Sequence, residues 1–218
     1  MIRVALLVAA KDLRIEARSR VLLWQVVPFG VIALVLAGLA LGPSRAGSSG
    51  AGPGLFYLVL VLVALLMITR SHGLERAAGT RSSVATLGLD PAGVFLGKSL
   101  ALLVELASAA LVLASGSVLL LHTSLAGTLR AAPSMALALA GLAAAGTLYG
   151  ALSAGEGAAT LLPLVALPAM TPLLVAGERA YSAAVSGGAL APWWLILVCA
   201  LVAYLGLGIL LYGVLEDL

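Results

Sequence analysis

The sequence predicts an all-α integral membrane protein: six transmembrane helices, an N-terminal amphipathic interfacial helix, and a cytoplasmic coupling helix between spans two and three. Hydrophobic residues make up 62% of the 218 positions and charged residues 10%, with a mean hydropathy of +1.18. These values exclude a soluble domain. A span needs about 20 mostly apolar residues, and such runs fill nearly the whole chain. Residues 1–218 are therefore expected to form a single membrane domain.

The first element, residues 1–20, is predicted to be an amphipathic helix on the membrane surface. At the helical period, the basic side chains fall within an arc of about 80° and the apolar ones occupy the neighbouring arc. These two sets are Arg3, Lys11, Arg14 and Arg18, and Ile2, Leu6, Ala10, Leu13 and Ala17. A basic face suits an anionic cytoplasmic leaflet. The alternative is an extension of the first span with snorkelling charges.

Six apolar segments follow, and each is predicted to cross the membrane. Their bounds are 21–41, 55–70, 91–121, 133–153, 160–176 and 192–215. The basic residues give the orientation: nine lie in the N-terminal segment and in the stretch 70–98, and three, Arg45, Arg130 and Arg179, in loops on the opposite side. Under the positive-inside rule, both termini are cytoplasmic.

The stretch 70–98 is the one long polar segment with apolar runs on both sides. Within it, residues 80–87 are expected to form a short helix that ends at Gly88, since glycine suits a helix C-terminus. Asp90 is predicted as the N-cap and Pro91 as the first residue of the next helix. A water-soluble partner would be expected to bind this segment.

Glu105 is predicted to lie inside the bilayer or near its inner edge, because it is 14 residues past Pro91, about 21 Å along a helix. Lys98 lies on the same face, seven residues earlier. An acid within the membrane indicates a function by default. A structural ion pair with a neighbouring helix is the alternative, and both remain open.

Span 160–176 contains three prolines, Pro163, Pro168 and Pro172. Each removes a backbone hydrogen bond, and broken helices are tolerated where they face protein or a cavity. We therefore expect a bent helix that lines a transport pathway, with Met170 and Thr171 in the bend.

The sequence gives little support for a catalytic site or a metal-binding site. Gly97-Lys98-Ser99 resembles the end of a phosphate-binding loop, but Ala92 stands where its first glycine should be, and no strand precedes it. His72 and Glu75 lack the convergent ligands that a metal needs; His122 as an axial haem ligand is the alternative. The sequence thus predicts a non-catalytic chain without metal, nucleic-acid or ATP binding of its own.

Several short motifs carry a resemblance to a known family. They are Leu74-Glu75-Arg76, Gly79-Thr80, Leu89 to Pro91, Gly97-Lys98, and Leu167-Pro168 with Pro172-Leu173-Leu174. Together with the basic N-terminal segment and the six spans, they resemble the permease half of a type-2 ABC exporter. Within that class the chain is similar to the CcmB haem-exporter permeases of cytochrome c maturation.

The resemblance implies a permease subunit of the bacterial inner membrane. A separate ATPase would bind and hydrolyse ATP, and that hydrolysis would drive haem export or release of a haem-loaded chaperone. The coupling residues would be Glu75, Arg76, Gly79, Thr80, Arg81, Val84, Leu87 and Asp90, and the transport pathway would include Glu105, Pro168, Met170, Thr171 and Pro172. Further cytochrome c maturation subunits, the haem chaperone and the lipid bilayer would be partners, and a homodimer stays open. The alternative is a generic type-2 permease for a lipid, glycan or drug.

Overall fold

The computed structural model describes residues 1–20, 22–42, 51–77, 90–152 and 162–216, and within these ranges every side chain except those of residues 23, 72–77, 162–163 and 215–216. The described chain is helical and contains no strand, which confirms the predicted all-α class. Its helices are α1 (Ile2–Ser19), α2 (Val27–Leu41), α3 (Gly52–Ala77), α4 (Pro91–Leu120), α5 (Leu125–Leu152), α6 (Leu162–Ser186) and α7 (Ala191–Glu216). A π-helical turn, Leu22–Val26, leads into α2.

Within the described residues, five helical segments are long and apolar enough to cross a membrane. They are Trp24–Leu41, Gly52–Ser71, Pro91–Leu120, Leu125–Leu152 and Ala191–Val214. The predicted span 160–176 corresponds to α6, which is not among the five. Its prolines, together with Glu178 and Arg179, reduce its hydropathy. The count of six spans therefore stays a prediction.

Three helices, α3, α5 and α6, extend several residues beyond the spans expected from the sequence. Helix α5 begins at Leu125, since the Ser124 hydroxyl accepts a hydrogen bond from the Gly127 N–H at 3.1 Å and caps the helix. Pro133, the expected start of the span, lies inside α5. Helix α6 continues to Ser186. Arg130 and Arg179, expected in loops, consequently lie in helices.

Helix α5 is the centre of the bundle. Of its span, 72% is buried, compared with 11% for the span of α7. Small residues allow this close packing, as is usual between membrane helices: Gly141 faces Leu173 of α6, and Gly146 faces Ile68 of α3. The outer faces of α2 and α7 expose large apolar side chains, as expected for surfaces in contact with lipid.

Helix α1 runs in the same direction as the first half of α4 and packs against it. Two glycines of α4, four residues apart, make this contact. Gly93 faces Val4, and Gly97 faces the Ala5 carbonyl and Val8. Gly97 thus lies within a helix–helix contact. The predicted basic arc of α1, with Arg3, Lys11, Arg14 and Arg18, is exposed.

Candidate functional site

Most of the predicted coupling residues cannot be placed in the structure. Gly79, Thr80, Arg81, Val84 and Leu87 lie outside the described residues, as does the predicted helix 80–87. Residues 75 and 76 lie in α3. The structure describes their backbone but not their side chains.

Asp90 occupies the predicted N-cap position of α4, and Pro91 is the first helical residue. The carboxylate of Asp90 makes no capping hydrogen bond. Its Oδ2 lies instead 3.3 Å from the amino group of Met1. Asp90 therefore contacts the residue that precedes α1, at the point where α4 begins.

Glu105 lies midway along α4 and is partly buried. The charged groups around it are Glu16 and Asp12 of α1 and Arg70 of α3. Arg70 pairs with Glu16, with 3.4 Å between Nη2 and Oε2, and Asp12 pairs with Lys11 at 2.8 Å. Within the described part of the chain, the Glu105 carboxylate makes neither an ion pair nor a hydrogen bond.

The predicted pathway residues of α6 divide between two faces. Met170 is fully buried against the core. Pro168, Thr171 and Pro172 are exposed, next to other exposed apolar side chains, Leu164, Val165, Leu167 and Val175. The structure thus gives α6 an outward surface that contains both prolines, which we call the proline face.

Two side chains hydrogen-bond to backbone carbonyls in the proline-containing turns of α6. The Thr171 hydroxyl donates to the Leu167 carbonyl at 3.0 Å, and the Tyr204 hydroxyl of α7 donates to the Ala169 carbonyl. Helices that contain proline are tolerated in membranes where neighbouring side chains supply such bonds. The bond from Tyr204 fastens this part of α6 to α7.

Glu105 and the proline face do not form one site in the described structure. The side chain of another helix that bonds to the proline-containing turns of α6 is Tyr204 of α7. The charged neighbours of Glu105 belong to α1 and α3. The predicted pathway residues therefore lie in two separate regions.

A buried cluster of hydroxyl groups was not predicted from the sequence. The Tyr181 hydroxyl, fully buried, lies 2.9 Å from Thr128 Oγ1 and 3.2 Å from Ser117 Oγ. Thr123 lies beside the same hydroxyl at 3.5 Å. Buried hydroxyl groups need such partners. The cluster joins α4, α5 and α6 near the turn between α4 and α5.

Aromatic rings extend this cluster toward α3. Phe56 and Tyr57 pack edge-on against Tyr181, with centroid separations of 5.4 Å and 6.5 Å. The Tyr57 hydroxyl is buried and has no hydrogen-bond partner in the described structure. Gly177 provides the space for this ring, because a Cβ there would lie 2.5 Å from Tyr57 Cε1.

Potential metal ligands are dispersed in the structure. Among the described residues, no three His, Cys, Asp or Glu side chains lie together in a way that could hold a metal ion. His122 is exposed in the turn between α4 and α5, with φ of 52°.

The comparison with protein families identifies the chain. The model of the family described as CcmB protein matches residues 3–211, nearly the whole sequence. The chain belongs to the CcmB protein family. Comparison with curated proteins found no match. As a CcmB family member, the chain is an integral membrane component of a cytochrome c maturation ABC permease.

CcmB family membership also agrees with the short motifs found in the sequence. Leu167-Pro168 and Pro172-Leu173-Leu174 lie on α6, and Gly97-Lys98 lies on α4, all within the matched residues. The family is one of membrane permeases and implies an ABC transporter with an ATPase and other maturation components.

Proposed function

We propose that the chain is the transmembrane permease subunit that couples ATP hydrolysis by a separate subunit to haem export or to release of a haem-loaded chaperone. The observation that carries the proposal is the match of residues 3–211 to the CcmB family. The bundle of long apolar helices supports a pathway through the membrane. In this proposal the chain is a non-catalytic subunit of the bacterial inner membrane, with six spans and cytoplasmic termini.

The ATPase subunit docks on the cytoplasmic segment between α3 and α4. The sequence supports this site, because residues 70–98 form the one long polar stretch between apolar runs. Glu75, Arg76 and residues 79–87 supply the contact, and Asp90 fixes the beginning of α4. The further partners are the other cytochrome c maturation membrane subunits and a haem chaperone.

The proline face of α6 supports a second contact, with another protein subunit or a hydrated cleft. Pro168 and Pro172 lack N–H groups, so the carbonyls of Leu164 and Pro168 lose their normal helical partners. Unpaired carbonyls are costly in hydrocarbon. A second copy of the chain in a homodimer would cover this face, and Glu105 either acts in transport or serves as a structural charge.

Reversal of one charge tests the docking site. Glu75→Arg should leave membrane insertion intact but weaken co-purification with the ATPase. It should also uncouple ATP hydrolysis from cytochrome c maturation. The matched control is Glu178→Arg, since Glu178 lies far along α6, paired with Arg179 at 3.4 Å. Wild-type co-purification and turnover in Glu75→Arg would refute the docking site.

A further inference from the structure

The connection between α1 and α2 has an unusual backbone. The backbone of Arg20 adopts the left-handed conformation, with φ of 53° and ψ of 19°. Residues other than glycine rarely adopt this conformation. The π-helical turn Leu22–Val26 follows at once, and such turns interrupt the regular hydrogen-bond pattern of a helix. The chain therefore needs other interactions to hold this junction in place.

Glu16 supplies one of them through its first carboxylate oxygen. The Leu22 N–H donates to Glu16 Oε1 at 2.6 Å, which satisfies a backbone donor at the start of the π-helical turn. A hydrogen bond to a charged acceptor is about twice as strong as one between neutral groups. Glu16 thus ties α1 to the entry of α2.

The second oxygen of Glu16 faces α3. Arg70 Nη2 lies 3.4 Å from Glu16 Oε2 and also donates to the Ser19 hydroxyl at 3.2 Å. The side chains of Glu16 and Arg70 are 15% and 20% exposed, so water and salt screen their attraction less than at a free surface. A single carboxylate therefore connects α1, the entry of α2 and α3.

The acidic side chains of α1 lie on the side of the helix that faces the bundle, and most of its basic side chains are exposed. Both acids of α1, Asp12 and Glu16, are partly buried toward the bundle, whereas Arg3, Arg14 and Arg18 are exposed. Asp12 pairs locally with Lys11. Glu16 is thus the acid of α1 that pairs with another helix within the described residues.

We propose that Glu16 is a positioning residue that holds α3 against the α1–α2 junction, so that movement of the segment after α3 is transmitted to the first span. The inference rests on the proposed function, in which the ATPase docks on that segment. Arg70 lies seven residues before the end of α3 at Ala77. A movement of the residues after Ala77 would thus be transmitted to α2 through Arg70 and Glu16.

Two substitutions separate the two roles of Glu16. Glu16→Gln keeps an oxygen that can accept from Leu22 but loses the charge opposite Arg70. Glu16→Ala loses both interactions. Arg70→Lys keeps a positive charge and serves as the conservative variant. Asp12→Asn is the matched control, because it removes the other acid of α1, whose ion pair is local, with Lys11.

The test uses the full chain in complex with its ATPase, in a Cys199→Ser background. Spin labels at positions 17 and 71, both exposed, report the distance between α1 and α3. We expect a narrow distance distribution in the wild type, Arg70→Lys and Asp12→Asn, and a broad one in Glu16→Ala. Glu16→Gln should broaden it to an intermediate extent. The ATP consumed per matured cytochrome should rise about fivefold or more in Glu16→Ala, a typical coupling effect.

A narrow distribution in Glu16→Ala would refute the proposal. So would a broad distribution with an unchanged ATP requirement, because Glu16 would then have a structural role alone. Equal effects in Asp12→Asn would show that loss of a negative charge on α1, and not of the Glu16–Arg70 ion pair, is responsible. A wild-type chain that binds no ATPase would refute the proposed function and the coupling role with it, while the distance measurement would still report whether Glu16 holds α3.

Discussion

Gly97 of α4 lies directly against the Ala5 carbonyl of α1, so that a Cβ at position 97 would be 2.6 Å from that oxygen and 2.7 Å from Val8 Cβ. Alanine at position 97 must therefore push α1 away from α4. Overpacking of this kind costs about 1–3 kcal/mol. Gly97→Ala should lower the melting temperature of the purified protein in detergent.

Gly206→Ala is the control for this prediction. A Cβ at position 206 in α7 would meet no atom within 4 Å, and alanine favours a helix over glycine by up to about 1 kcal/mol. Gly206→Ala should thus be neutral or stabilising. Equal melting temperatures for the wild type and Gly97→Ala would contradict the close contact between α1 and α4.

The two buried tyrosines of the aromatic group should respond differently to loss of their hydroxyls. Tyr181→Phe leaves Thr128 and Ser117 without their shared partner, which should cost about 1–2 kcal/mol. Tyr57→Phe removes a hydroxyl that has no partner in the described structure and should be neutral or stabilising. Thermal unfolding of both variants measures the difference, and a larger loss in Tyr57→Phe would contradict the hydroxyl cluster.

The prolines of α6 should matter for activity and not for folding. Replacing Pro168 and Pro172 together with alanine restores the hydrogen-bond ladder, and alanine favours the helix by up to about 3 kcal/mol per site. We expect normal insertion but reduced cytochrome c maturation, because the bend that the two prolines are expected to cause would be lost. Pro133→Ala, in the interior of α5, is the matched control and should retain activity. Wild-type cytochrome c maturation in the double variant would show that activity does not require the two prolines.

The proposed topology predicts which side of the membrane each connection occupies. In a Cys199→Ser background, cysteines at positions 48 and 186 should react with a reagent that does not cross the membrane, and a cysteine at 82 should be protected. Position 186 is preferred to 187, because Gly187 has φ of 82° and a side chain there would be strained. Labelling of position 82 from outside the cell would reverse the orientation.

Periodicity and hydropathy predicted much of the fold. The all-α class, the helix at the N-terminus and the N-cap position of Asp90 follow from local patterns that need no knowledge of packing. The predicted fourth span begins at Pro133, whereas helix α5 begins at Leu125 after the Ser124 cap. Proline is compatible with a membrane helix interior when neighbouring groups compensate, so it marks a boundary weakly.

The contacts that define the candidate sites could not be predicted in the same way. Ser19 and Arg70 meet across 51 positions, and Ser117 and Tyr181 across 64. Such pairs depend on how whole helices pack, and a single sequence holds no local signal for them. The sequence shows Glu16 as a polar residue of the N-terminal helix. Its proposed positioning role depends on Arg70, which lies on another helix.

The most direct test of the central claim is the level of c-type cytochromes in cells that lack the chain. Deletion of its gene in the organism that encodes it should abolish the haem-stained bands of c-type cytochromes, and expression of the wild-type chain should restore them. Cytochromes that bind haem without a covalent bond should remain at normal levels, since haem synthesis does not depend on this permease. Unchanged c-type cytochromes in the deletion strain would contradict a role in cytochrome c maturation.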